Sequence, residues 1–275
     1  MKHKSQTLLP QSEVILFIAG FYIRIIFEPF EFLYGQQQFM KDFLTMYAGF
    51  IIKGPIPKTD YLLRIIHAKN LITLFRKKEN LEFILYVKNM KENRCTTFHH
   101  ISSSQLQTLF RKILLALLAK HDGFLLHTSA VKINRLAYLF LGKPYAGKST
   151  SMKLLKSSYP PLADDTGFIR KINNDYLFFQ TPFVEKEHWI KKGWRGLALG
   201  KLCFLRKSKS FHLKKIADKH DVLHLLMRQF FTEQEHAKKQ TDYLFDFVKG
   251  FDEFYILSFA KDKRKFIEFM TTHAI

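Results

Sequence analysis

Nine consecutive residues near the middle of the chain, Gly142-Lys143-Pro144-Tyr145-Ala146-Gly147-Lys148-Ser149-Thr150, have the types and spacing needed to hold a phosphate. They satisfy the pattern G-x-x-x-x-G-K-S/T. Gly142 and Gly147 let the backbone turn tightly, so that successive N–H groups converge on phosphate oxygens. Lys148 is expected to reach the β- and γ-phosphates, and the Ser149 hydroxyl to sit on Mg²⁺. ATP with Mg²⁺ is therefore the expected ligand, with all nine residues in contact. Farther along, Asp164 and Asp165 form a pair of adjacent carboxylates. Adjacent residues of a strand face opposite ways. One carboxylate would hold the metal shell while the other turns to an alcohol and accepts its proton as the oxygen attacks phosphorus. An Asp-Asp turn in water is the bland alternative; the nearness of the phosphate loop favours the chemical one.

These groups need particular elements to position them. The run Leu136–Leu141 reads as a buried strand feeding the loop, and residues 149–155 as the first turns of a helix whose N-terminus favours negative charge. Residues 162–165 read as a short strand that ends in the aspartates, after Pro160 and Pro161 stop the loop helix. Ahead of the loop, residues 105–120 carry an apolar stripe at i, i+3, i+4 spacing, which predicts an amphipathic helix. His121-Asp122-Gly123 ends it, and strands follow at 124–127 and 130–133. A hairpin is expected at 168–172 and 176–179 around Asn173-Asn174, then a strand at 202–205, a helix at 222–231, a strand at 255–259 and a basic tail from Lys261. The N-terminal third reads as short strands, at Phe21–Phe27, Tyr61–Ile66, 71–75 and 83–87. The organisation expected is thus a β-rich N-terminal unit, residues 1–104, and a phosphate-loop domain, residues 105–275, in an α/β protein.

Composition narrows the function classes. A chain of 275 residues with 47% hydrophobic and 25% charged residues can bury a large core in one or two domains. The net charge of +20 suits an anionic partner, yet the basic clusters are scattered and no nucleic-acid module is legible among them. The excess of Phe, Ile and Lys also matches an AT-rich coding sequence. Cys95 with His99 and His100 is a thin metal signal, read instead as part of an ordinary strand. Sparse cysteine, no transmembrane run and no cleavage site point to a cytoplasmic protein without a membrane span. Trp189-Ile190-Lys191-Lys192-Gly193-Trp194-Arg195-Gly196 has the makings of a substrate-facing loop whose cations clamp a phosphate or an acidic peptide, against the alternative that its tryptophans pack on the core.

Leu125-Leu126-His127-Thr128-Ser129-Ala130, the loop and its strand, and Leu162-Ala163-Asp164-Asp165 together resemble the HPr kinase/phosphorylase-like family. That family shares a phosphate-loop fold with the ATP-dependent phosphoenolpyruvate carboxykinases. Gln180-Thr181-Pro182-Phe183 extends the likeness, which covers residues 105–260 and is specific around 125–165. The resemblance implies a kinase that transfers the γ-phosphate to a serine or other alcohol, on a peptide, a protein or a small molecule. It implies Asp165 as catalytic base, Asp164 with Ser149 as metal ligands, Lys148 on the β/γ-phosphates and His127 beside them. It also implies a homo-oligomer, since rings occur in the family. Two departures stand out: Thr150 replaces an acidic residue after the loop serine, and Glu185 and Glu187 match no acidic metal motif. These leave HPr itself and the phosphorolytic reverse reaction without support. They also keep in view a non-catalytic nucleotide-binding sensor or scaffold with the same loop. A carboxykinase is disfavoured because the chain is short and shows no carboxylate-clamping arginine motif.

Overall fold

The computed structural model describes residues 12–28, 33–66 and 87–273, and divides into two compact units, Met1–Ile113 and Leu114–Ile275. The division falls within a helix, whereas the change of period in the sequence sets it just before residue 105.

The first unit holds a six-stranded mixed sheet in the order β3-β1-β2-β4-β6-β5. The strands are β1 (Ser12–Ile18), β2 (Phe21–Phe27), β3 (Ile51–Ile52), β4 (Tyr61–Ile66), β5 (Val87–Lys91) and β6 (Arg94–Phe98). The apolar run at 14–23 is a hairpin: Ala19 and Gly20 both take positive φ, 51° and 81°, which matches the twist of the paired strands. Along β2 burial alternates, so Phe21, Ile23, Ile25 and Phe27 face the core while Arg24 faces out. β2, β4 and β6 run parallel, and β1, β3 and β5 pair antiparallel. A helix not expected from the sequence, α1 (Leu33–Met46), brings Phe43 to a ring distance of 5.3 Å from Phe27 and 4.7 Å from Tyr47. The expected strands at 71–75 and 83–87 lie outside the described residues, apart from Val87 in β5.

The expected amphipathic helix is α2 (Ser103–Lys120). Ser102 and Gln105 cap it reciprocally: the Gln105 N–H donates to Ser102 Oγ at 3.3 Å, and the Ser102 N–H to Gln105 Oε1 at 3.1 Å.

The second unit is built on a ten-stranded mixed sheet. Its strands are β7 (Gly123–His127), β8 (Ser129–Ile133), β9 (Leu136–Leu141), β10 (Pro161–Ala163), β11 (Thr166–Ile172), β12 (Asp175–Gln180), β13 (Leu197–Lys207), β14 (His212–Lys215), β15 (Phe230–Phe231) and β16 (Phe254–Phe259). The main path runs β10-β8-β9-β13-β12-β11-β7-β15, with β16 and β14 branching from β13. β13 is the joint. Its start pairs antiparallel with β12, and its end lies parallel between β9 and β16. Two tight turns use residue pairs in the left-handed region, Asn134-Arg135 and Asn173-Asn174, as two-residue hairpins require.

The helices of this unit are α3 (Lys148–Leu155), α4 (Lys219–Met227), α5 (Ala237–Gly250) and α6 (Lys263–His273). Three of them correct the sequence reading. The helix expected over 222–231 ends at Met227, and Phe230–Phe231 turns out as β15 against β7. α5 was not expected; it buries Leu244, Phe247 and Val248 into the core made by Phe124, Ile169 and Phe254. The expected basic tail is α6, which buries Phe266 and Met270 beside Phe140 and Leu257. Its cations occupy the other face, as an amphipathic helix demands. Among the described residues no helix is long and apolar enough to cross a membrane.

Candidate functional site

β9 is fully covered from Ala137 to Leu141 and ends in the phosphate loop, outside the carboxyl edge of its parallel neighbours β13 and β16. Open sheets of this kind gather ligands at that edge. Gly142 and Gly147 both adopt positive φ, 148° and 111°. A Cβ on Gly142 would lie 2.9 Å from that of Ala146, and one on Gly147 would lie 2.6 Å from the Phe259 ring. Both positions thus exclude other residues by conformation and by space. Gly147 caps α3 without any side-chain bond, which leaves first-turn N–H groups available to an anion. Lys148 is buried and donates to the Gly142 carbonyl at 2.7 Å, closing the loop on itself. Burial pulls its ammonium below the ordinary lysine value, and the nearby Asp165 and Asp164 oppose that shift.

The aspartates arrive from the sheet. β10 pairs with β8, and its chain bends at Asp164-Asp165 before entering β11. The Thr128 N–H donates to the Asp165 carbonyl at 3.0 Å, and β7 pairs His127 with Thr166. These bonds bring the His127 ring nitrogen to 3.2 Å from Asp165 Oδ1. Phe231 meets the imidazole edge-on at 5.9 Å. Asp164 differs sharply from its neighbour. It is only 4% exposed, and both carboxylate oxygens are shut from water with no hydrogen-bond partner among the described residues. An ionised group left so is costly unless a cation completes it.

His127, Lys148, Ser149, Thr150, Asp164 and Asp165 line one cleft of about 820 Å³. Pro144, Tyr145 and Gly147 share its wall, whereas Gly142, Lys143 and Ala146 shape the loop without lining the cleft. Tyr145 stands 92% exposed at its lip. Sequence reasoning missed the further cations on the rim, Lys153, Lys186, Lys207 and Lys261. They come from four separate segments, so no local pattern announces them.

The donor set fits Mg²⁺. Asp164 offers two unmatched oxygens and Ser149 a hydroxyl in the same cleft. Among the described residues no three His, Cys, Asp or Glu side chains converge on a cation. Mg²⁺ does not call for such a cluster, because it binds through one or two carboxylates with water and substrate phosphates. Cys95, weighed above with His99 and His100, is buried in β6, and burial pushes its thiol up to about 12.

The segment of Trp189 and Trp194 connects β12 to β13. Both rings are partly exposed, at 42% and 37%, so neither is buried in the core. Trp189 donates to Glu187 at 2.7 Å and lies 4.8 Å beneath the Lys156 ammonium. Lys192 turns inward and pairs with buried Glu185.

No protein-family model matches the chain, and no curated protein matches it. Among solved structures it is similar to the HPr(Ser) kinase/phosphatase from Coxiella burnetii, at 14% identity over 34% of this chain and 77% of that one, with a TM-score of 0.26. A likeness this slight concerns chain trace alone, and the chemistry has to come from the residues of the cleft.

Proposed function

We propose that the chain is a phosphotransferase that moves the γ-phosphoryl group of ATP to an alcohol, on a serine of a peptide or protein or on a small molecule. One observation carries this reading: a phosphate loop with an inward lysine shares a cleft with two carboxylates of opposite character, Asp164 buried and unmatched, Asp165 half-exposed beside His127.

The division of labour follows from those environments. Lys148, freed from the Gly142 carbonyl, binds the β- and γ-phosphate oxygens and carries part of the charge that builds during transfer. Asp165 accepts the acceptor's proton. The new bond joins the alcohol oxygen to phosphorus, the bridging bond to the β-phosphate breaks, and ADP leaves with that electron pair. His127, 3.2 Å from Asp165 Oδ1 but not aligned for a hydrogen bond, would steer the carboxylate along the cleft when its ring turns to donate. Asp164 and Ser149 would hold Mg²⁺, which when bound supplies positive charge against the phosphate oxygens.

The test is a melting curve with and without Mg-ATP for wild type and Lys148→Ala, followed by transfer of labelled γ-phosphate to serine and to serine-containing peptides. The expected result is a ligand-linked rise in Tm that Lys148→Ala removes, with label appearing on a hydroxyl. A rise without transfer to any hydroxyl acceptor would replace the enzyme with a nucleotide-binding sensor or scaffold. No rise at all would remove the nucleotide site.

A further inference from the structure

We infer that Glu185 is the positioning residue of the aspartate pair, and that residues 183–192 form a strap tying the pair to the helix of the phosphate loop. The inference rests on the reading of Asp164 and Asp165 as the working carboxylates. Glu185 is only 4% exposed, and both of its oxygens accept hydrogen bonds. Oε2 accepts the Asp164 N–H at 2.6 Å and the Asp165 N–H at 2.8 Å, while Oε1 accepts from Lys192 Nζ at 2.5 Å. One carboxylate oxygen therefore grips both peptide N–H groups of the pair. That grip fixes the bend that sends the Asp164 side chain inward and the Asp165 side chain toward His127. Charge-assisted bonds of this kind are about twice as strong as neutral ones.

The same strap reaches the nucleotide side. Glu187, two residues on, pairs with Lys153 of α3 at 2.7 Å and accepts from Trp189 at 2.7 Å. Gln180, at the strap's root, donates to the Leu162 carbonyl at 2.6 Å and to the Lys191 carbonyl at 3.0 Å. Leu162 lies two residues before Asp164, so β10 is held from this side as well. Lys192 has its ammonium pulled down by burial, against which Glu185 and then Asp165 act. Removing either partner leaves the other as an uncompensated buried charge. A device that spans the loop helix and the aspartates keeps the base and the transferring phosphate in register, where an error of about 1 Å costs on the order of 100-fold.

The experiment compares wild type with Glu185→Ala, Glu185→Gln and the double variant Glu185→Gln/Lys192→Met. Each is assayed for kcat and KM with ATP, and for binding of Mn²⁺ with ADP by electron paramagnetic resonance. Glu185→Ala is expected to lower kcat about 100-fold while KM for ATP stays within about threefold, and to weaken Mn²⁺. Glu185→Gln turns its amide donors toward Lys192 and behaves alike. The double variant keeps an acceptor for both N–H groups without a stranded ammonium, and recovers at least tenfold over Glu185→Gln, on the order of half the lost free energy. Should Glu185→Ala fail to fold, Glu185→Leu/Lys192→Met, which removes the acceptor without stranding the ammonium, takes its place and is expected to lose kcat and Mn²⁺ binding as Glu185→Ala does. Mn²⁺ binding and kcat unchanged in Glu185→Ala overturn the inference, as do a Glu185→Gln/Lys192→Met variant as impaired as Glu185→Ala and the absence of any Mn²⁺ site in the wild type. A wild type that binds Mn²⁺ without transferring phosphate sinks the phosphotransferase instead, and the Mn²⁺ affinities alone then test the strap.

Discussion

The two units bury different kinds of side chain. In the first, Thr97 is the fully buried polar residue among those described, in a core of aliphatic, aromatic and thiol groups. In the second, Thr128, Ser129, Lys148, Ser151, Asp164 and Glu185 are all buried. They gather around the cleft or on the segments that shape it. Each such group costs free energy unless it is matched. Of these six, Asp164 and the hydroxyls of Ser129 and Ser151 find no hydrogen-bond partner among the described residues. The first core buries almost no polar side chain among the described residues, whereas the second unit buries several, charged ones at the cleft among them.

The sharpest way to break this contrast is at Asp165. Asp165→Asn should lower phosphoryl transfer by roughly 10²–10⁴-fold and leave the Mg-ATP-linked rise in Tm intact; turnover near the wild-type rate would show that the base lies elsewhere. Next in size is Phe43, which meets Phe27, Tyr47 and Phe110 in the first core and is 2% exposed. Phe43→Ala should cost about 3–5 kcal/mol in urea unfolding without changing the stabilisation contributed by nucleotide. Loss of that stabilisation would tie the two regions together. Asp164→Ala should leave the stability of the ligand-free protein within about 1 kcal/mol, since the freed desolvation cost of the carboxylate is set against the charge it gives buried Lys148, and should abolish the Mg²⁺-dependent part of the rise. A rise in Tm with Mg-ATP as large as in wild type would mean that the metal is held elsewhere.

A last effect, confined to alkaline pH, is one in which the units should agree. Burial pushes Cys95 in one and Cys203 in the other from 9.0 up to about 12. The unfolded chain loses these protons first, so their contribution to stability is complete below pH 9 and lost as pH rises toward 12. A Cys95→Ala/Cys203→Ala variant should therefore show a shallower alkaline decline than wild type, and native thiols should resist alkylation at pH 8.

Much of the second unit was legible because its signals are local. Asn134-Arg135 and Asn173-Asn174 declare their hairpins, and the phosphate loop declares its strand and helix. The Ala19-Gly20 turn was hidden within a continuous apolar run, because Ala is not a turn residue by type. α1 was lost in a region dominated by aromatic and β-branched residues, and α6 behind a run of charges that conceals Phe266 and Met270. At the site, the loop and the aspartates were readable as motifs. Glu185 was not, since its partners are two backbone N–H groups and a lysine seven positions on, a relation that has no period. The meeting of His127 with Asp165 likewise depends on β7 pairing with β11.

The joint formed by β13 has a consequence for biogenesis. On a nascent chain, β9 can fold onto β8 at once through the Asn134-Arg135 turn, but its other edge waits for β13, and β13 waits for Phe254–Phe259 at the far end of the sequence. Pairings so distant form slowly and leave a strand edge open meanwhile. The sheet behind the loop is thus complete only once synthesis has passed Phe259. Losing Phe254–Phe259 would strip β13 of one parallel neighbour and leave β14 without its partner.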